Sequence, residues 1–163
     1  MSACQSNDNS TTNNTAQNYM KYENSRFNFS VEIPDKWDYN VHGTENYEAT
    51  ATKEAMPTSG ISVNVENDHE QVISVYGQIG SLSWDDVANS VVEDFVTKSG
   101  LKGMKYTSEN QNTISIIYVF DQDQLTEQGY NTRALGASIL MSEEAYVQNK
   151  DTIEYIIQSI RIT

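Results

Sequence analysis

Apolar and polar residues follow two rhythms along this chain. The helical one is sharpest in 83–100, SWDDVANSVVEDFVTKSG, where Trp84, Val87, Ala88, Val91, Val92 and Phe95 recur at the i, i+3, i+4, i+7 spacing of one helical face. Ser83 stands where an N-cap hydroxyl accepts from an orphan backbone amide. Asp85 and Asp86 place negative charge at the positive end of the helix dipole, and Lys98 places positive charge at the other end. Gly100 suits the left-handed residue that stops a helix. The pattern predicts a core helix over 83–100.

The second rhythm is strict alternation, the mark of a half-buried strand. Phe27, Phe29, Val31 and Ile33 alternate with Asn28, Ser30 and Glu32. Pro34-Asp35-Lys36 then turns the chain, and Trp37, Tyr39 and Val41 predict a second strand antiparallel to the first. The polar stretch 43–60 reads as a loop or sheet edge. Ile61, Val63 and Val65 predict another strand, Asn67 to Glu70 a turn, and 72–79 a further strand weakened by Gly77 and Gly80. Beyond the helix, 104–107 reads as a strand, and 114–120, ISIIYVF, is apolar enough for the sheet centre. Residues 121–124 read as a turn, 133–141 as a strand with Leu135, Ala137, Ile139 and Met141 on one face, and 142–146 as a short turn. Ile153, Ile156, Ile157 and Ile160 predict a last helix over 151–161 with Asp151 as its cap, and 159–162 can leave it as an extended end. The chain contains no internal repeat.

Composition limits what these elements can do. A chain of 163 residues suits one domain with a tail. Its 37% hydrophobic content supports one core, and no apolar run approaches the ~18 residues of a membrane-spanning helix. The net charge of −13 and pI near 4.3 repel a phosphate backbone, which argues against nucleic-acid binding. Basic partners and divalent cations stay compatible with that surface.

The first 18 residues are Asn, Ser, Thr and Gln with almost no apolar content, the signature of a disordered tether. The single cysteine, Cys4, excludes an intramolecular disulfide. Ser2-Ala3-Cys4 ahead of a polar tract resembles the end of a bacterial lipobox, in which the cysteine is lipidated and becomes the mature N-terminus. Met1 stands where that pattern usually has Leu, and the hydrophobic segment that would precede it is not in the sequence, as expected of a chain cut near its processing point. The division expected is a tether over 1–21 and one domain over 22–163. Lipidation at Cys4 would hold that domain outside the cytoplasm, at a bacterial membrane.

Catalytic chemistry is hard to find. His42 and His69, the two histidines, lack the spacing of a zinc site. No Gly-x-Ser-x-Gly elbow, phosphate loop or dinucleotide fingerprint occurs, and no cofactor is expected. Asp121 and Asp123, with Glu127 downstream, offer oxygen ligands for a weak cation site. The sixth and twelfth places of an EF-hand loop hold Thr126 and Thr132 instead of Gly and Glu, which excludes that motif. Tyr19, Tyr22, Tyr39 and Tyr47 give the early part of the chain a surface suited to protein or glycan recognition.

The opening Phe27–Trp37, an apolar run with Pro at its turn and an aromatic after it, resembles the start of PsbP-like domains. The ending Tyr146–Ile162 resembles the closing helix of that family, and the order of elements between them is similar. The resemblance spans about Tyr22 to Thr163. It implies an α+β fold, a three-layer sandwich with a central antiparallel sheet flanked by helices. The family includes photosystem II extrinsic proteins, Mog-type Ran-binding proteins and bacterial lipoproteins, which mostly act through surfaces. The resemblance itself implies little about activity; together with the tether and the missing catalytic set it leads to the expectation of a non-enzymatic, lipid-anchored accessory protein that binds an envelope protein partner. The alternative is a module that binds a small ligand or a divalent cation in a pocket between sheet and helix or at the acidic turns.

Overall fold

The computed structural model describes residues 17–43, 58–79, 90–127 and 133–163. Alternation dominates these residues, and ten strands result: β1 Tyr19–Asn24, β2 Phe29–Pro34, β3 Asp38–His42, β4 Thr58–Val65, β5 Asp68–Ile79, β6 Val91–Val96, β7 Lys102–Asn110, β8 Thr113–Phe120, β9 Arg133–Ser142 and β10 Arg161–Ile162. Two helices accompany them, α1 Gln122–Glu127 and α2 Glu143–Gln158. The strands form a three-stranded sheet, β1-β2-β10, and a seven-stranded sheet, β3-β4-β5-β9-β8-β7-β6, with every pairing antiparallel.

This corrects the expected architecture. The described chain is mostly β, with two antiparallel sheets, one short helix and one of 16 residues, and not a single sheet held between helical layers. A large share of the discrepancy comes from the predicted helix over 83–100. Its residues 91–96 are strand β6, while 83–89 lie outside the described residues. Val91, Val92 and Val96 are β-branched and stiff at χ1, which favours a strand. Phe95 then meets Tyr118 and Phe120 across the sheet, with ring centroids 4.8 and 6.4 Å away. Gly100 has a positive φ of 87°, but it closes a hairpin turn between β6 and β7. There its N–H donates to Thr97 O at 2.9 Å, and Thr97 N–H donates to Leu101 O at 2.9 Å.

One face of the large sheet carries Ile61, Val63, Ile73, Val75, Ala137, Ile139, Ile116 and Tyr118, brought into rows by the register of β4, β5, β9 and β8. The small sheet and α2 bury against that face. Phe29, Val31 and Ile33 come from β2, and Ile153, Ile156 and Ile157 from α2. The opposite face carries polar residues across its middle. Ser62, Ser74 and Ser138 lie in one row, with the Ser62 and Ser74 hydroxyls 3.0 Å apart.

Several element ends differ from the sequence pattern. Tyr19–Lys21, expected in the tether over 1–21, pair with β2, so the folded part begins earlier; residues 1–16 lie outside the described residues. β3 pairs with β4 and not with β2, because the chain leaves the small sheet at the Pro34–Trp37 turn and enters the large one. α2 begins at Glu143, where the pattern predicts a turn, and Asp151 lies inside it. Its N-cap is Ser142, whose Oγ accepts from Ala145 N–H at 3.2 Å, with Glu143 and Glu144 at the positive end of the dipole. The final extended end is β10, as expected from 159–162.

Candidate ligand pocket beside the long helix

α2 packs against β2, β9 and β8, and the large sheet continues past it into β7 and β6. The inward positions of this outer part are not uniformly apolar. Register places Glu93, Lys105 and Tyr118 in one row across β6, β7 and β8. In the next row Gly103 lies between Phe95 and Phe120. Opposite them α2 brings Tyr146, Glu154, Ile157 and Gln158. The two sets enclose a cavity of about 260 Å³, lined by Phe95, Lys105 and Tyr118 from the sheet and by these four helix residues.

The aromatic part of this wall is tightly packed. Phe95 and Tyr118 meet edge-on, at an interplanar angle of 62°. The polar part is balanced in charge. Lys105 Nζ lies 3.4 Å from Glu93 Oε2, and Lys150 Nζ lies 3.8 Å from Glu154 Oε1 one helical turn away. Tyr118 is only 6% exposed. Burial, and then the nearby Tyr146, Glu154 and Glu93, push its phenol well above the ordinary tyrosine range. Burial and Glu154 push Tyr146 the same way. Both hydroxyls therefore keep their protons at neutral pH.

A second cavity of about 250 Å³ lies on the other flank of α2. Its polar groups satisfy one another. The Glu32 carboxylate accepts from the Tyr155 hydroxyl and from Arg161 Nη2 at 3.3 Å, while Glu32 N–H donates to Ser159 Oγ at 2.8 Å. Lys98 Nζ lies 5.4 Å from the centroid of the Tyr155 ring, which also packs on Tyr19 at 4.0 Å. Gln158 lines both cavities and donates to Val96 O at 3.4 Å, so it stands as the partition between them.

The residues that the sequence singles out fall elsewhere. Cys4 and Tyr47 lie outside the described residues. Asp121 and Asp123 come together at the start of α1, where Asp121 Oδ1 accepts from Asp123 N–H at 3.0 Å and Asp121 O accepts from Leu125 N–H at 3.2 Å. They share an open depression of about 500 Å³ with Asp94 and Lys102. Among the described residues, no group of three or more His, Cys, Asp or Glu is placed to hold a metal ion. His69 Nδ1 lies 3.9 Å from Asp38, while His42 pairs across β3 and β4 with Gly60. Sequence patterning does not single out Tyr118 or Tyr146. The available signal is a phenol at an inward position of ISIIYVF, and Tyr146 is obscured when 142–146 is read as a turn. No helix among the described residues is long and apolar enough to cross a membrane.

No family model matches this sequence, and no curated protein matches it. A solved structure is similar in fold: cyanobacterial PsbP (CyanoP) from Synechocystis sp. PCC 6803, with a TM-score of 0.55 over 100% of this chain and 99% of that one, at 9% identity. The fold is therefore PsbP-like, and an identity this low carries fold alone.

Proposed function

We propose that this chain is a non-catalytic binding module that takes a small ligand between its large sheet and α2, and that a lipid on Cys4 holds it at the outer side of a bacterial membrane. The observation that carries the binding reading is the cavity of about 260 Å³ with convergent phenol, carboxylate, ammonium and amide groups around an aromatic wall. The anchor reading is supported by Ser2-Ala3-Cys4 and by the polar tract behind it. The acidic turn at Asp121 and Asp123 gives the cation version of this reading less support, because Asp121 is already engaged as a helix cap.

Binding is tested by recording NMR spectra of the whole chain against a panel of neutral, cationic and anionic fragments. The expected result is that at least one class shifts the Tyr118, Tyr146 and Gln158 signals. Silence from every class removes the reading. For the anchor, the Cys4→Ala variant of the full precursor is expected in the soluble fraction; retention in membranes overturns that part.

A second reading, an accessory module that binds an envelope protein, is supported by β6. This outer strand of the large sheet exposes Val91, Val92 and Val96 by 62%, 48% and 50%. Scattered exposed valines are ordinary, but three on one edge strand suit strand addition by a partner. Val92→Lys is expected to abolish such a complex without touching the cavity.

A further inference from the structure

We infer that the cavity between α2 and strands β6 to β8 takes a neutral, polyhydroxylated ring, the chemistry of a pyranoside, with Tyr118 and Glu154 as its specificity-determining contacts. This rests on the small-ligand reading above and names the class of ligand.

Charge supplies the first argument. Lys105 and Glu154 line the cavity, and each is already paired, Lys105 with Glu93 and Glu154 with Lys150. A charged ligand would have to draw one member away from its partner, whereas a neutral ligand leaves both pairs intact. Hydrogen-bonding capacity supplies the second. The Tyr118 and Tyr146 phenols stay protonated and donate, the Glu154 carboxylate only accepts, and the Gln158 side-chain oxygen accepts while its nitrogen is held by Val96 O. Donors and acceptors thus face one small space. A hydroxyl group both donates and accepts, so adjacent hydroxyls match that mixture better than an amine or a carboxylate does. Shape supplies the third. Phe95 and the Tyr118 ring give an apolar wall for the C–H face of a sugar ring, and about 260 Å³ suits one ring and not a chain of them.

The Tyr118 hydroxyl connects these arguments. It belongs to a side chain only 6% exposed that lines the cavity. Phenylalanine would fill the same inward position but offer a ligand no hydrogen bond. A ligand oxygen in the cavity would accept from this hydroxyl.

The test is a titration of the whole chain with the methyl glycosides of glucose, galactose, mannose and N-acetylglucosamine, and with the matching trisaccharides, read by the Tyr118 and Tyr146 ring signals in NMR. At least one glycoside is expected to saturate those signals with a Kd on the order of 1 mM. Tyr118→Phe and Glu154→Gln are each expected to weaken it about tenfold, the loss of one good hydrogen bond. Tyr118→Phe keeps the buried ring, so an unchanged melting midpoint separates lost binding from lost folding. Tyr39→Phe, on the distant outer strand β3, is expected to bind as the parent does. A trisaccharide that binds more tightly than the single ring marks the end of a glycan as the source, and equal binding marks a free sugar. If no glycoside moves the ring signals, or if Tyr118→Phe binds unchanged, the inference is overturned. Tetramethylammonium and acetate serve as charged controls. Should one of them occupy the cavity while glycosides do not, the sugar class falls and the small-ligand reading stands. If no probe of any class binds, both fall.

Discussion

Replacing Gly77 by alanine sets two opposite effects against each other. Gly77 lies inside β5, and Phe27, from the turn between β1 and β2, packs directly on it. A methyl group at Gly77 would stand 2.1 Å from Phe27 Cγ and 2.4 Å from its Cβ, so the ring must retreat by about 1.3 Å to reach ordinary contact. Phe27 is buried, and Arg26 lies 5.0 Å over its ring, so the retreat disturbs the seam between the two sheets. Overpacking of this kind costs about 1–3 kcal/mol. The opposing effect acts on the unfolded chain, where alanine has fewer conformations to lose, and is worth about 0.4–1 kcal/mol in favour of the variant. The clash is the larger, so Gly77→Ala should destabilise by about 1–2 kcal/mol. In a Phe27→Ala background the clash is gone, and the same substitution should stabilise by up to about 1 kcal/mol. The assay is urea unfolding followed by fluorescence, with buried Trp37 as one reporter. At a slope of about 2 kcal/mol per molar urea, the midpoint falls by about 0.5–1 M in the parent and rises in the Phe27→Ala background. Equal shifts of the same sign in both backgrounds would refute this account of the sheet-to-sheet seam.

Thr107 Oγ1 is buried without a hydrogen-bond partner among the described residues. Thr107→Val is therefore expected to raise stability, by about 1 kcal/mol in urea unfolding, because it replaces an uncompensated hydroxyl with a methyl of similar shape. Ser142→Ala removes the cap of α2 and should cost about 1 kcal/mol, with amide exchange in 143–147 rising more than in 153–157. Alkaline pH should destabilise the fold. Tyr118, Tyr146, Tyr76 and Tyr22 all have folded-state pKa values raised by burial, so above about pH 10 the unfolded chain loses protons that the native one keeps. Stability is then full below the ordinary tyrosine pKa and falls as pH rises, by at most about 1.4 kcal/mol per pH unit for each group. Tyr118→Phe should flatten that fall, and an unchanged slope in melting temperature between about pH 10 and 11 counts against the burial of this phenol.

Most strands are legible in the sequence because their apolar residues alternate over several positions. Ile61 to Val65, Ile114 to Phe120 and Leu135 to Met141 each carry a buried face and a wetter one, and no helical face fits them. The segment 91–96 is not legible in the same way. Val91, Val92 and Phe95 satisfy the i, i+1, i+4 spacing of a helix, and Glu93 occupies an inward strand position, which breaks the alternation. Glu93 is exposed there and pairs with Lys105, 3.4 Å away on the neighbouring strand. The edge of the sheet that imitates a helix is thus the part that lines the candidate pocket. A sequence position that violates its local pattern is often explained by a distant partner, and functional sites collect such violations.

The extent of α2 decides whether a pocket exists at all. A helix limited to 151–161, as its isoleucines alone predict, would bring Glu154 and Ile157 over the sheet and leave out Tyr146. Capping by Ser142 starts the helix at Glu143 instead, and the added turns place Tyr146 over Lys105 and Tyr118. Tyr146 then closes the cavity from the helix side, while Lys150 pairs with Glu154 and keeps the cavity's charges balanced. The cap is therefore as much a part of the candidate site as the residues that line it. It follows that Ser142→Ala, which touches nothing in the cavity, should still weaken any ligand that Tyr146 holds, in proportion to the fraying of the first turn that amide exchange records.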